Sequence, residues 1–103
     1  MPGPSKVQIK INALRRLAKE YNIYKDEEIE LQGRLTQLET HPRDEYEIRR
    51  AQQVFDETRK VKEQVAQQLK TLVGEVRKLT GLKPEEEKQV AAGLEEASAA
   101  LQG

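Results

Sequence analysis

The sequence predicts an all-α fold, an antiparallel three-helix bundle whose third helix is shorter than the other two. Three observations carry this. Apolar residues recur at alternating spacings of three and four along two long stretches. Prolines and glycines gather at three places, Pro2-Gly3-Pro4, His41-Pro42 and Gly81 through Pro84. The composition, 36% hydrophobic and 35% charged with no Trp and one Phe, suits apolar stripes on long helices and lacks the aromatic and β-branched clusters of strands.

The first helix is expected over about residues 5–39. Its seam reads Val7, Lys10, Leu14, Leu17, Tyr21, Tyr24, Glu28, Leu31, Leu35, Leu38. Pro42 disfavours helix at His41 and stops it. The second helix is expected over about residues 44–80, opened by Asp44 with Glu47 three residues on, a capping-box-like start. Its seam reads Ile48, Ala51, Phe55, Thr58, Lys62, Val65, Leu69, Leu72, Val76, Leu79. Gly33 and Gly74 each cost roughly 1 kcal/mol against Ala, too little to end such helices. The link at residues 40–43 is so short that the pair must form an antiparallel hairpin, each arm roughly 50 Å long.

Gly81 suits the left-handed turn that closes the second helix. Pro84 suits the first position of a third, over about residues 84–101, and Glu85, Glu86 and Glu87 match the positive end of its dipole. Its apolar face is Val90, Leu94, Ala97, Leu101. It should cover a second stripe made by Ile11, Ala18, Ala66 and Val73, reach about half the hairpin, and leave the tip nearest His41 as two helices. The whole of residues 1–103 reads as one domain.

Little in the chain points to chemistry. There is no Cys, so thiolate metal sites and cysteine nucleophiles are excluded. His41 is the only histidine and reads as a solvated turn residue. The carboxylates alternate with Lys and Arg at helical spacings, the ordinary surface of a long helix. No phosphate-binding glycine loop is present. The expectation is therefore a protein that is not an enzyme, with no cofactor and no metal. Net charge is zero, which argues against nucleic acid as a partner. No apolar run approaches the ~20 residues that span a bilayer, and the Met-Pro-Gly-Pro-Ser start lacks an apolar signal region. A cytoplasmic protein without a membrane is expected.

Two charge features stand out. Lys6, Lys10, Arg15, Arg16 and Lys19 form a run without an acid, while the third helix is acid-rich. Either the two face each other, since cations at a helix start oppose its dipole, or the basic run docks an acidic partner. Lys10, Glu28 and Lys62 break the seams, and the last two concern the hairpin's register. They read as residues that snorkel or set register, Lys62 with its stem near Tyr21.

Several runs resemble a known family. Gln8-Ile9-Lys10-Ile11, Leu14-Arg15-Arg16-Leu17-Ala18-Lys19-Glu20 and Tyr24-Lys25-Asp26-Glu27 are similar to the first helix of tubulin-binding cofactor A. Asp44-Glu45-Tyr46-Glu47-Ile48-Arg49-Arg50 and Phe55-Asp56-Glu57-Thr58-Arg59 resemble its second. The chain departs from the family at Lys60-Val61-Lys62-Glu63-Gln64, where members commonly carry a Met-Met-Ile-Pro-Asp run. The resemblance implies a three-helix chaperone that captures folding β-tubulin for heterodimer assembly, alongside other tubulin cofactors, in the cytoplasm and at the cytoskeleton, without nucleotide or metal. It leaves monomer or homodimer open. The competing reading is a generic helical scaffold, a spectrin-like repeat or a fusion-regulator domain. The first usually buries a Trp and the second adjoins a membrane anchor, and neither feature is found here.

Partner contacts are expected on two sets of residues. One is basic, on the outer faces of the first two helices: Arg15, Arg16, Lys19, Arg49, Arg50 and Arg59. The other is apolar, at the tip left bare by the third helix: Tyr46, Ile48, Val54, Phe55 and Val61, with Ile23 and Ile29 opposite.

Overall fold

A computed structural model describes residues 5–40 and 44–102. The Pro2-Gly3-Pro4 start and the His41-Pro42 break, with its histidine, lie outside them. Three helices follow in order, α1 over Lys6–Thr40, α2 over Glu45–Arg77 and α3 over Pro84–Gln102, with no strand among the described residues. The molecule measures 60 × 27 × 20 Å with a radius of gyration of 18.4 Å, against ~13 Å for a compact domain of this length. It is a rod whose core is a seam.

Each helix start is made by a local side chain. Ser5 Oγ accepts a hydrogen bond from Gln8 N at 3.1 Å and caps α1. Asp44, in extended conformation, caps α2 by accepting from Tyr46 N at 3.0 Å. Pro84 opens α3 as expected, and Glu86 accepts from Lys83 N at 3.0 Å, the return half of a capping box. The other oxygen of Glu86 accepts from Ser5 Oγ at 3.5 Å, so one carboxylate ties the starts of α1 and α3 together.

The end of α2 differs from expectation. The helix stops at Arg77, and Lys78 N and Leu79 N donate to the carbonyls three residues back, each at 3.2 Å. That tighter winding ends the α-helix before residue 80. Gly81, with φ 69, turns the chain into α3, a conformation in which a side chain is strained.

Every seam position on α1 and α2 is buried or half-buried. Leu14 and Leu69 are fully enclosed, and with Ile11, Ala18 and Val76 they form a core that Val90, Ala97 and Ala100 of α3 complete. Burying each large side chain stabilises the fold by roughly 1.5–3 kcal/mol. Leu35 and Phe55 are buried in the part of the hairpin beyond α3. Gly93 of α3 lies so close to α1 that a Cβ there would meet Leu14 Cδ2 at 3.0 Å.

Of the three charges in the seams, Lys10 pairs with Glu75 at 3.2 Å and the other two pair with each other. Lys62 Nζ donates to Glu28 Oε2 at 3.0 Å, both largely shielded from solvent, and Lys25 lies over the ring of Tyr21 at 5.3 Å. The reason is directional. Side chains lean towards the N terminus of their own helix, so in an antiparallel pair Lys62 leans towards the turn and Glu28 away from it, and they meet.

Candidate partner-binding surface

The hairpin has two faces, one on each side of the seam, and α3 occupies one of them. It runs parallel to α1: Arg15 forms a two-pronged pair with Glu96 at 3.0 and 3.2 Å, and Lys25 Nζ donates to Ala100 O at 2.7 Å, near the C-terminal end of α3. On α2 this face carries the row Val73, Ala66, Arg59, Gln52, seven residues apart. Val73 lies with Lys70 and Arg77 beside Leu94, Ser98 and Leu101 of α3. On α1 the matching row is Ile11, Ala18, Lys25, Gln32. Both rows are apolar where α3 lies and turn polar at Lys25 and Arg59, where it ends.

Among the described residues the opposite face is bare along its length. On α2 it carries the row Glu75, Gln68, Val61, Val54, and a shallow groove there is lined by Arg16, Leu17, Gln68, Leu72 and Glu75 without any residue of α3. The α1 row is Ala13, Glu20, Glu27, Arg34. Here the order differs: the α2 row is polar at Glu75 and Gln68, apolar at Val61 and Val54, and acidic again at Glu47 at the tip. Val54 and Val61 are each 37% exposed and Tyr46 is 68% exposed. A groove of about 320 Å³ opens at this end, lined by the apolar Leu31, Ala51 and Val54 and by Arg34, Tyr46, Glu47 and Arg50.

The structure thus places the expected contact residues in separate groups. Tyr46, Arg50 and Val54 share the tip groove, and Val61 continues their row. Arg16 is on the same open face, towards the other end. Arg15 is engaged with Glu96, and Lys19 borders the same α3 edge. Arg49 points to another side than Arg50 and lies near Glu45 at 4.0 Å, both fully solvated. Phe55 is buried, with Arg59 over its ring at 5.6 Å, and Ile48 is half-buried, so both support the hairpin from within. Ile29 and Ile23 are exposed, and neither lines the tip groove.

One expectation is met by this geometry and one changes. The acid-rich third helix does face the basic start of α1, through Arg15–Glu96 and Ser5–Glu86. The bare valines are not left uncovered by a short α3; they lie on the face that α3 does not use, and a longer α3 would not reach them. Arg34 and Leu31 belong to the groove and escaped the sequence reading. Their signal is the heptad phase, which sets Arg34 on the flank facing the Val54 row.

Electrostatics follow the pairs. The hydrogen bond from Arg15 holds the Glu96 carboxyl below its ordinary 4.5, against some desolvation and with help from Lys19, and the same bond raises Arg15. Among the described residues no cluster of three or more acidic or histidine side chains could hold a metal, and no helix is long and apolar enough to cross a membrane.

The sequence model of the family described as Tubulin binding cofactor A matches residues 2–102 of the chain. No significant match is found among curated proteins or among solved structures.

Proposed function

Since the chain belongs to the tubulin binding cofactor A family, whose role is that of a tubulin-binding chaperone and not of an enzyme, we propose that it captures folding β-tubulin and holds it for assembly with α-tubulin. The single observation that best supports this reading is the open face of the hairpin, where Val54, Val61 and Tyr46 are exposed beside Arg34 and Arg50. An apolar strip rimmed by charge suits a client that must be kept from aggregating and later released. The cytoplasm, with the cytoskeleton nearby, is the compartment where such a client is found, and other tubulin cofactors are the natural recipients. A second copy of the chain is the competing occupant of the same strip.

The test is a pull-down with the purified chain against β-tubulin and α-tubulin in parallel, with sedimentation to fix the oligomeric state. Retention of β-tubulin alone supports the proposal. Equal retention of both removes the β-specificity, and retention of neither overturns it.

A further inference from the structure

We propose that the face of the hairpin opposite α3 pairs with the same face of a second copy of this chain, the two rods lying antiparallel about a two-fold axis beside Val54. The pairing needs no tubulin, yet it covers the strip that the tubulin reading gives to the client, so copy and client compete for one face.

The charges of this face point to a second copy. On α2 they run, from the tip, Glu47, Arg50, Glu57 and Lys60, with Val54 between the second and the third. Reversed end to end, this series is its own complement: Glu47 comes level with Lys60, and Arg50 with Glu57. On α1 the flank row holds Arg34 towards the tip and Glu27 seven residues further from it, again its own complement when reversed. The two midpoints, near residues 30 and 54, stand at one level of the hairpin, because Leu31 and Val54 line the same groove. One two-fold axis therefore serves both helices. It sets Val54 against Val54 of the second copy, brings Tyr46 level with Val61, and makes the Arg34–Glu27 and Arg50–Glu57 pairs twice over. These four charged residues are exposed, and none is in an ion pair among the described residues. Laid parallel, the same faces would set like charge on like. Glu30, one row further out on α1, faces its own counterpart at the rim and works against the pairing. Residues 46–61 of α2 rise roughly 24 Å, and two helices side by side are about 20 Å wide. The overlap thus buries on the order of 1,000 Å² over both copies, the small end of specific interfaces, so the dimer is weak and exchanging.

Sedimentation of the purified full chain tests this. The unmodified chain is expected to pass from monomer to dimer as its concentration rises. An acidic-face variant, Arg34→Glu with Arg50→Glu, and a basic-face variant, Glu27→Arg with Glu57→Arg, should each self-associate on the order of tenfold or more weakly. Mixed in equal amounts, the two should pair with each other at least as tightly as the unmodified chain pairs with itself, since each of these contacts is again between opposite charges. Gln52→Glu, on the α3 side, should dimerise normally. Helicity is followed throughout, and if one double variant unfolds, Arg50→Glu and Glu57→Arg singly make the same comparison. A monomer at every concentration overturns the inference, as does unchanged self-association of either variant or failure of the mixture to pair. β-Tubulin takes no part in these measurements, so those results leave the tubulin reading standing, and failure of the chain to retain β-tubulin overturns that reading alone.

Discussion

At the scale of residues, the fold places its charges where each has a definite task. Lys62 and Glu28 interrupt two apolar seams and neutralise each other at 3.0 Å. Removing one partner leaves the other partly desolvated, so Lys62→Met alone should cost about 1–3 kcal/mol in urea unfolding. Replacing both with Leu should be neutral or stabilising by up to roughly 1–4 kcal/mol, at the expense of the polar pair that pins the register of the hairpin. A double replacement as destabilising as the single one would show that the pair contributes more than it loses by desolvation. Glu96 offers a pH test. Its carboxyl titrates below its ordinary value because of Arg15, so the folded state gains stability at pH values above the ordinary value and loses it as pH falls through the lowered one. Glu96→Gln should flatten that part of the acid limb of an unfolding curve. The effect is small for so exposed a pair, and an unchanged acid limb would mean the pair does not hold in solution.

At the scale of elements, glycine separates positions that matter from those that do not. Nothing lies within 4 Å of a Cβ built on Gly33 or Gly74, so changing each to Ala should add about 1 kcal/mol through helix propensity. The melting temperature should rise by roughly 4–8 °C per kcal/mol. Gly93 is the opposite case, because its approach to Leu14 sets the spacing of α3 from α1. Gly93→Leu should cost about 1–3 kcal/mol by overpacking, with hydrogen-exchange protection lost in α3 and kept in the Leu35–Phe55 region of the hairpin. Uniform loss over all three helices would show that α3 is no separable unit. The seams of α1 and α2 are legible in the sequence up to Val76, since a heptad pattern states directly which positions meet; Leu79 falls past the end of α2. The row under α3, Ile11, Ala18, Ala66 and Val73, is legible for the same reason. The partner of Lys62 is not, because spacing fixes the height of a residue and not the lean of its side chain. The candidate surface is legible only in part. Sequence marks Val54 and Val61 as apolar and off the seam. Reading the tip as one surface, however, joins them to residues such as Ile29 and Arg49 that the rod turns to other sides, and gathers in Phe55, which the seam encloses.

At the scale of the whole molecule, a rod 60 Å long presents a partner with long faces and shallow grooves. Charge on those faces acts on the rate of encounter more than on the fold. Reversing Arg49 and Arg50 to Glu should slow association with β-tubulin while leaving helicity unchanged. The single changes should separate, Arg50→Glu carrying most of the effect because Arg49 lies on another side. The rate should fall as salt rises; rates equal at low and high salt would remove electrostatic steering from the account. The parallel course of α1 and α3 has a consequence in time. Ser5 meets Glu86 and Arg15 meets Glu96, so the earliest helix to be synthesised finds its last neighbour only after α2 and the turn at Gly81 have been made. On a ribosome adding about 5–20 residues per second, the stretch from Arg77 to Gln102 takes roughly one to five seconds. For that interval the nascent hairpin displays the row Ile11, Ala18, Ala66 and Val73 as an uncovered apolar flank, and during its own birth this chain needs the kind of protection that its family extends to others.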